Sequence, residues 1–153
     1  MEKENRLFIK RYSNIHDIDK YMIEAIPEHI RARFIEYRRN WAKTSEMNEL
    51  TDFPLEIAFD VLDGCNLSCD ICTRSHNRGT MKKLDLNLYK AIIDEVSKHS
   101  LASITYGMEG EPTLNPNLTE MIRYATLKGA MDIRVGTNGQ NLTPEETVQL
   151  VKA

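Results

Sequence analysis

Residues 54–72 read PLEIAFDVLDGCNLSCDIC, and the change of character inside this stretch decides how the rest of the chain is read. Leu55, Ile57, Phe59 and Val61 alternate with Glu56, Ala58 and Asp60, which predicts a strand with one apolar face. Directly after it, Cys65, Cys69 and Cys72 stand in a C-x3-C-x2-C pattern within eight positions. One short loop at the end of a strand thus presents three thiols to one inorganic centre. Cysteine thiolates are the standard ligands of iron–sulfur clusters. A cubane has four irons, so three cysteines leave one iron open to a small molecule that chelates through an amino and a carboxylate group.

Two other readings of the cysteines stay open at this point. Free cysteines are often small buried hydrophobes, but these three stand among polar Asn66, Ser68 and Asp70. His76 lies four residues after Cys72 and could complete a Cys3His zinc set. Structural zinc loops usually draw their ligands from two separated knuckles, which this chain lacks. His16, His29 and His99 have no ligand partner at useful spacing and read as surface or packing residues.

Downstream of the cysteines, strand and helix patterns alternate. Asp85 can cap a helix carrying Leu88, Ile92 and Val96 with Tyr89 and Ile93 beside them. ASITYG (102–107) reads as a strand, NLTEMIRYATLKG (117–129) as a helix ended by Gly129, and DIRVG (132–136) as a third strand. Thr143 and Glu146 form a capping-box pattern, with Pro144 at the first helical position. Three such units imply an α/β fold with parallel strands and helical crossovers. A closed eight-stranded barrel needs about 250 residues, so either the domain is open or the chain is the front part of something longer, a partial parallel (β/α) barrel.

Upstream, helical periods dominate. Ile15, Ile18, Met22 and Ile26 recur at helical spacing before Pro27. A second stripe runs through Ile30, Phe34, Tyr37 and Trp41, with Arg31, Arg33, Arg38, Arg39 and Lys43 mostly off it. The break falls at TDFPLE (51–56), dividing an N-terminal helical extension, residues 1–52, from the α/β portion, residues 53–153. The formal net charge of −3 gives no global attraction to nucleic acid or anionic lipid. No apolar run is long enough to span a bilayer and MEKENRLFIKRY is no signal peptide. An odd number of cysteines, clustered, points to a reducing compartment and hence the cytoplasm.

CNLSCDIC (65–72) resembles the C-x3-C-x-aromatic-C signature of the radical S-adenosylmethionine (SAM) superfamily, with Ile71 where an aromatic residue is usual. YGMEGEPTLNP (106–116) is similar to the family's Gly-Gly-Glu-Pro motif, with Gly110, Glu111 and Pro112 matching and Glu109 replacing the first glycine. VGTNGQNLT (135–143) resembles its Thr-Asn-Gly stretch. Each of the last two alone also reads as an ordinary turn; the three in this order, each at a strand end, carry the resemblance from about Phe53 onward. YRRNW (37–41) followed by FPLEIAFDV (53–61) resembles the extensions of radical SAM proteins of the SPASM type.

This resemblance implies a 4Fe–4S cluster on Cys65, Cys69 and Cys72, SAM at the open iron, contact of Gly110 and Glu111 with the SAM amino group, and apolar contact from Ile71. It also implies an external one-electron donor such as flavodoxin or ferredoxin, and an unidentified substrate. Under it Arg74, Arg78, Lys82 and Lys83 belong to a solvated loop, and Glu56 and Asp60 lie on the polar face of the first strand. The rival function class is a non-catalytic metal-binding or partner-binding module, with Trp41 as an anchor.

Overall fold

In the computed structural model, which describes residues 23–24, 26–45, 50–75 and 79–153, the alternation from Leu55 onward becomes strand β1 over Glu56–Phe59. The chain divides between Leu55 and Glu56 into two compact units. In the first, helix α1 spans Glu28–Ser45 and buries Tyr37 at 4% exposure. Phe34 and Trp41 both meet the Tyr37 ring edge-on at 5.9 Å, as expected of positions spaced three and four apart on one face. The Arg38 guanidinium lies over Tyr37 and Trp41, 5.7 and 5.9 Å from their centroids. The helix expected from Ile15, Ile18 and Met22 falls outside the described residues, as do His16, His76 and Arg78.

The second unit continues with β2 (Leu62–Asp63), a 3-10 turn (Thr73–Ser75), β3 (Lys82–Lys83), helix α2 (Leu86–Ser97) and β4 (Ser103–Tyr106). A second 3-10 turn (Pro112–Leu114), helix α3 (Leu118–Leu127), β5 (Asp132–Val135) and helix α4 (Pro144–Lys152) follow. Strands β1, β4 and β5 form a parallel sheet in the order β1-β4-β5. Glu56 lies opposite Ser103 and Phe59 opposite Tyr106, while Ser103 faces Asp132 and Tyr106 faces Val135. The caps act as the sequence requires: the Asp85 carboxylate accepts from Asn87 and Leu88 N–H at 2.9 Å, and Thr143 and Glu146 complete their reciprocal box.

The register puts Ile57, Phe59, Ile104, Tyr106, Ile133 and Val135 on one face. The Phe59 and Tyr106 rings lie against Tyr89 of α2, with centroids 5.1 and 6.3 Å away. Ile93, Met121 and Ala125 are fully buried beside them. Helices α2 and α3 are joined further out by Lys90–Glu120 at 2.9 Å and by the Tyr124 hydroxyl donating to Asp94 at 2.7 Å. The opposite face is polar: Arg134 donates to Thr105 Oγ1 at 3.1 Å and to Glu56 at 3.3 Å, and Ser103 donates to Glu56 at 3.3 Å. Glu56 is therefore neither free nor simply wet.

One element was not anticipated. Strands β2 and β3 pair antiparallel, Leu62 with Lys83 and Asp63 with Lys82. Two residues per strand show no periodicity, so Lys82 and Lys83 looked like solvated loop. The ladder is extended by Met81 N–H to Asp63 O at 2.7 Å and Leu84 N–H to Val61 O at 3.0 Å. Gly79 makes the closure possible: it sits at φ 74°, and a Cβ there would lie 2.3 Å from Asp63 O. The cysteine loop therefore leaves and re-enters the fold at one place.

Two tyrosine hydroxyls meet in the core. The Tyr89 hydroxyl donates to Met121 O at 2.9 Å and lies 2.5 Å from the Tyr106 hydroxyl. Burial pushes Tyr89 up to about 12, and burial likewise raises Tyr106, so both stay neutral. Tyr89→Phe leaves Tyr106 and the Met121 carbonyl unpaired together and is expected to cost about 1–3 kcal/mol. Tyr106→Phe, which spares the Met121 bond, costs less, and urea-unfolding midpoints of the two variants check the order.

Candidate functional site

Three loops begin at the carboxyl ends of the parallel strands, where α/β folds place their sites. The parallel ladder runs one residue past each strand, with Gly107 N–H to Phe59 O at 3.0 Å and Gly136 N–H to Tyr106 O at 2.8 Å. The chain then turns sharply. Gly107 sits at φ 81°, and a Cβ on it would lie 2.5 Å from Gly136 O and 2.7 Å from Pro112. Gly110 has no room either: its Cβ would meet Leu62 O at 2.0 Å. Because it is glycine, the turn lies against the entry to the cysteine loop, and Glu111 N–H donates to Gly64 O at 2.8 Å. Buried Asn115 adds a bond from its amide to Val61 O at 2.8 Å.

Asp60, which the sequence placed only on a polar face, holds this turn. Its Oδ1 accepts from the N–H groups of Met108 and Glu109 at 2.9 Å and of Gly110 at 3.4 Å. The described peptide bonds are all trans. With three N–H groups aimed at Asp60, the carbonyls of the same peptide units, on Gly107, Met108 and Glu109, point away from it. Gly107 O faces the neighbouring loop, 2.8 Å from where a Cβ on Gly136 would sit. A strand-end carboxylate followed at a distance by a Gly-rich turn is the only sequence signal that could have found Asp60.

Glu111 is placed differently from the expectation that it touches SAM directly. Its side chain is 2% exposed and turned into the chain. Oε1 accepts from Thr113 N–H at 3.0 Å, Thr113 Oγ1 at 2.6 Å and Thr137 Oγ1 at 2.7 Å; Oε2 accepts from Asn138 N–H at 2.7 Å. Burial pushes its carboxyl up, but the bonds from Asn138, Thr113 and Thr137 outweigh burial and hold it below its ordinary value. Asn138 in turn donates from its side chain to Asn66 Oδ1 at 2.8 Å and to Cys65 Sγ at 3.7 Å. The three motifs are thus one bonded unit.

Cys65 and Cys72 are half-buried and Cys69 is exposed, all three free. Leu67 N–H donates to Cys65 Sγ and Arg74 N–H to Cys72 Sγ, each at 3.4 Å, and Cys72 N–H donates to Cys69 O at 2.9 Å. Among the described residues no three Cys, His, Asp or Glu side chains converge on a single metal ion. The donor set, three thiols with amides directed at two of them, fits an iron–sulfur centre. Ile71 is 99% exposed, free to cover something bound beside the loop. Arg74 departs from the solvated loop expected of it: it pairs with Asp63 and, at 2.9 Å, with Glu109.

A strand–loop–helix array with three thiols at the first strand end defines a radical SAM domain, and the family model described as the Radical SAM superfamily matches residues 60–153, so the chain belongs to that superfamily. Its members use a 4Fe–4S cluster and SAM. The chain is 31% identical over 99 residues to the mycofactocin maturase MftC of Mycobacterium tuberculosis, covering 65% of this chain and 25% of that one. It is 33% identical over 100 residues to an AdoMet-dependent heme synthase of Methanosarcina barkeri, covering 65% and 28%. Both names describe enzymes. Among solved structures, BtrN in complex with AdoMet and 2-DOIA superposes with a TM-score of 0.60 at 26% identity, covering 67% of this chain and 43% of BtrN. The α/β architecture is that of a partial radical SAM barrel. The chain spans about a quarter of the length of the curated relatives it matches. Among the described residues no helix is long and apolar enough to cross a membrane.

A depressed folded carboxyl stabilises the fold above the unfolded value and loses that contribution as pH falls through the folded one. Glu111 should therefore contribute fully above about pH 4.5, its ordinary value, and lose its contribution below it. Glu111→Gln cannot titrate and is expected to be less stable at neutral pH, with a shallower loss as pH falls below about 4.5. Unfolding free energies measured across that window check the slope.

Proposed function

We propose that this chain is the cofactor-binding portion of a radical SAM enzyme, in which Cys65, Cys69 and Cys72 ligate a 4Fe–4S cluster. Such a cluster, when bound, would supply one electron for reductive cleavage of SAM to methionine and a 5'-deoxyadenosyl radical able to take hydrogen from a substrate. The chain's own residues bind and orient. The carbonyls of Met108 and Glu109 accept from the SAM amino group; Gly110 lets that turn lie close, and Asp60 holds its amides. Glu111 is a positioning residue that fastens the Thr137–Asn138 loop beside the thiols. Ile71 offers apolar contact to the adenine. The electron comes from an external donor such as flavodoxin or ferredoxin in a reducing cytoplasm, where the thiols stay free.

The observation that carries this reading is the bonding of a three-thiol loop to both neighbouring strand-end loops, through Glu111 N–H to Gly64 O and Asn138 to Asn66. An amino-acid chelator of an open iron needs both halves within one molecule's reach. Anaerobic reconstitution with iron and sulfide tests it in the full-length protein. The expected outcome is a cluster with visible absorption and labile sulfide, release of 5'-deoxyadenosine from SAM, and loss of the cluster in each of Cys65→Ala, Cys69→Ala and Cys72→Ala. Stoichiometric zinc without labile sulfide would replace the reading with a zinc module using His76.

Asp60 separates the two halves. Asp60→Ala frees three amides and is expected to weaken SAM binding by about tenfold, as for hydrogen bonds to a charged acceptor, with iron content unchanged. Asp60→Asn keeps an acceptor oxygen and should retain most of the affinity. Titration of each reconstituted variant with SAM measures this.

A further inference from the structure

Arg74 follows Cys72 by two residues in the Thr73–Ser75 turn, and its backbone N–H donates to Cys72 Sγ at 3.4 Å. Its side chain is only 19% exposed and leads back into the fold. Nη1 pairs with Asp63 Oδ1, while Nε and Nη2 reach Glu109 Oε2 at 3.0 and 2.9 Å. Asp63 lies on β2, where the chain enters the cysteine loop, and its other oxygen accepts from Thr80 N–H at 3.0 Å and Thr80 Oγ1 at 2.7 Å, where the chain leaves it. Glu109 belongs to the turn whose amides Asp60 holds. One guanidinium therefore joins the entry, the exit and the acceptor turn. Lysine could not do this, because the two carboxylates are engaged by different arms of a planar fork.

Glu109 stands where the family motif has glycine. A glycine there would leave Arg74 with Asp63 alone. We propose that Arg74 is a positioning residue for the cluster-binding loop: held between Asp63 and Glu109, it pins the loop to the turn before any cofactor arrives and fixes the N–H that meets Cys72 Sγ. The cofactor half of this proposal rests on the reading above; the pin itself is a property of the chain.

Hydrogen exchange on the metal-free, full-length protein tests the pin. Arg74→Ala is expected to speed exchange of the amides of residues 65–75 and 108–110 about tenfold, and Glu109→Gln about threefold. Adding Glu109→Gln to Arg74→Ala should change little more, since the pair is already broken. Arg74→Lys should restore only part of the protection. Glu109 is half-exposed, with 54% of its side chain accessible, so Glu109→Gln folds even where Arg74→Ala does not.

The second readout is the midpoint potential of the reconstituted cluster. Removing the cation leaves Asp63 and Glu109 uncompensated and releases the Arg74 N–H, so Arg74→Ala should lower the potential by about 59 mV, a tenfold change in a one-electron equilibrium. Arg74→Ala/Glu109→Ala should recover part of that shift. Unaltered exchange in both Arg74→Ala and Glu109→Gln would overturn the proposal. So would altered exchange with an unmoved potential, which reduces Arg74 to a brace. A wild-type protein that assembles no cluster would instead refute the enzyme reading and leave the exchange result standing.

Discussion

A carboxylate taken out of water must be surrounded by donors, and meeting that demand at Glu111 ties the site together. Its own turn supplies Thr113, and the loop after the neighbouring strand supplies Thr137 and Asn138. Those two loops start side by side because Tyr106 and Val135 are register partners at the ends of β4 and β5. Once Asn138 is fixed by its backbone to Glu111, its side chain reaches Asn66 and Cys65. A buried charge in one loop thereby fixes Asn138, whose side chain reaches a thiol 73 residues away from it in sequence.

The two halves of the site use the backbone in opposite senses. In the cysteine loop, amides of Leu67 and Arg74 point at sulfur. In the turn over 107–110, amides point at Asp60 and the carbonyls face the other way, which favours a hydrogen-bond donor. Neither polarity depends on a side chain that also does something else. Both depend on glycine: Gly107 and Gly110 let the turn lie where any Cβ would collide, and Gly79 lets the cysteine loop close on Asp63.

Much of this was legible beforehand. Alternation located β1, and caps and glycines located the starts and ends of the helices, because these signals act over a few residues. Cys65, Cys69 and Cys72, Gly110 and Glu111 were named from spacing and motif order. Less legible were the charged residues between them. Asp60 and Arg74 look like solvated charges until the chain folds their partners back to them, 48 residues away for Met108 and 35 for Glu109. Glu111 looked like a ligand contact because a lone carboxylate beside a glycine suggests one; its four donors lie partly in a loop whose approach no local pattern announces. The β2–β3 pairing is too short to carry a period.

The sequence by itself determined the kind of donors, their order and the strand ends that carry them, because spacing and periodicity are written along the chain. Only the tertiary structure decided which carboxylates serve the chain's own amides and hydroxyls and which atoms are left to meet a ligand. Hydrogen bonds and ion pairs are selected at separations near 3 Å, and those separations exist only after parallel strands have brought distant loops to one edge.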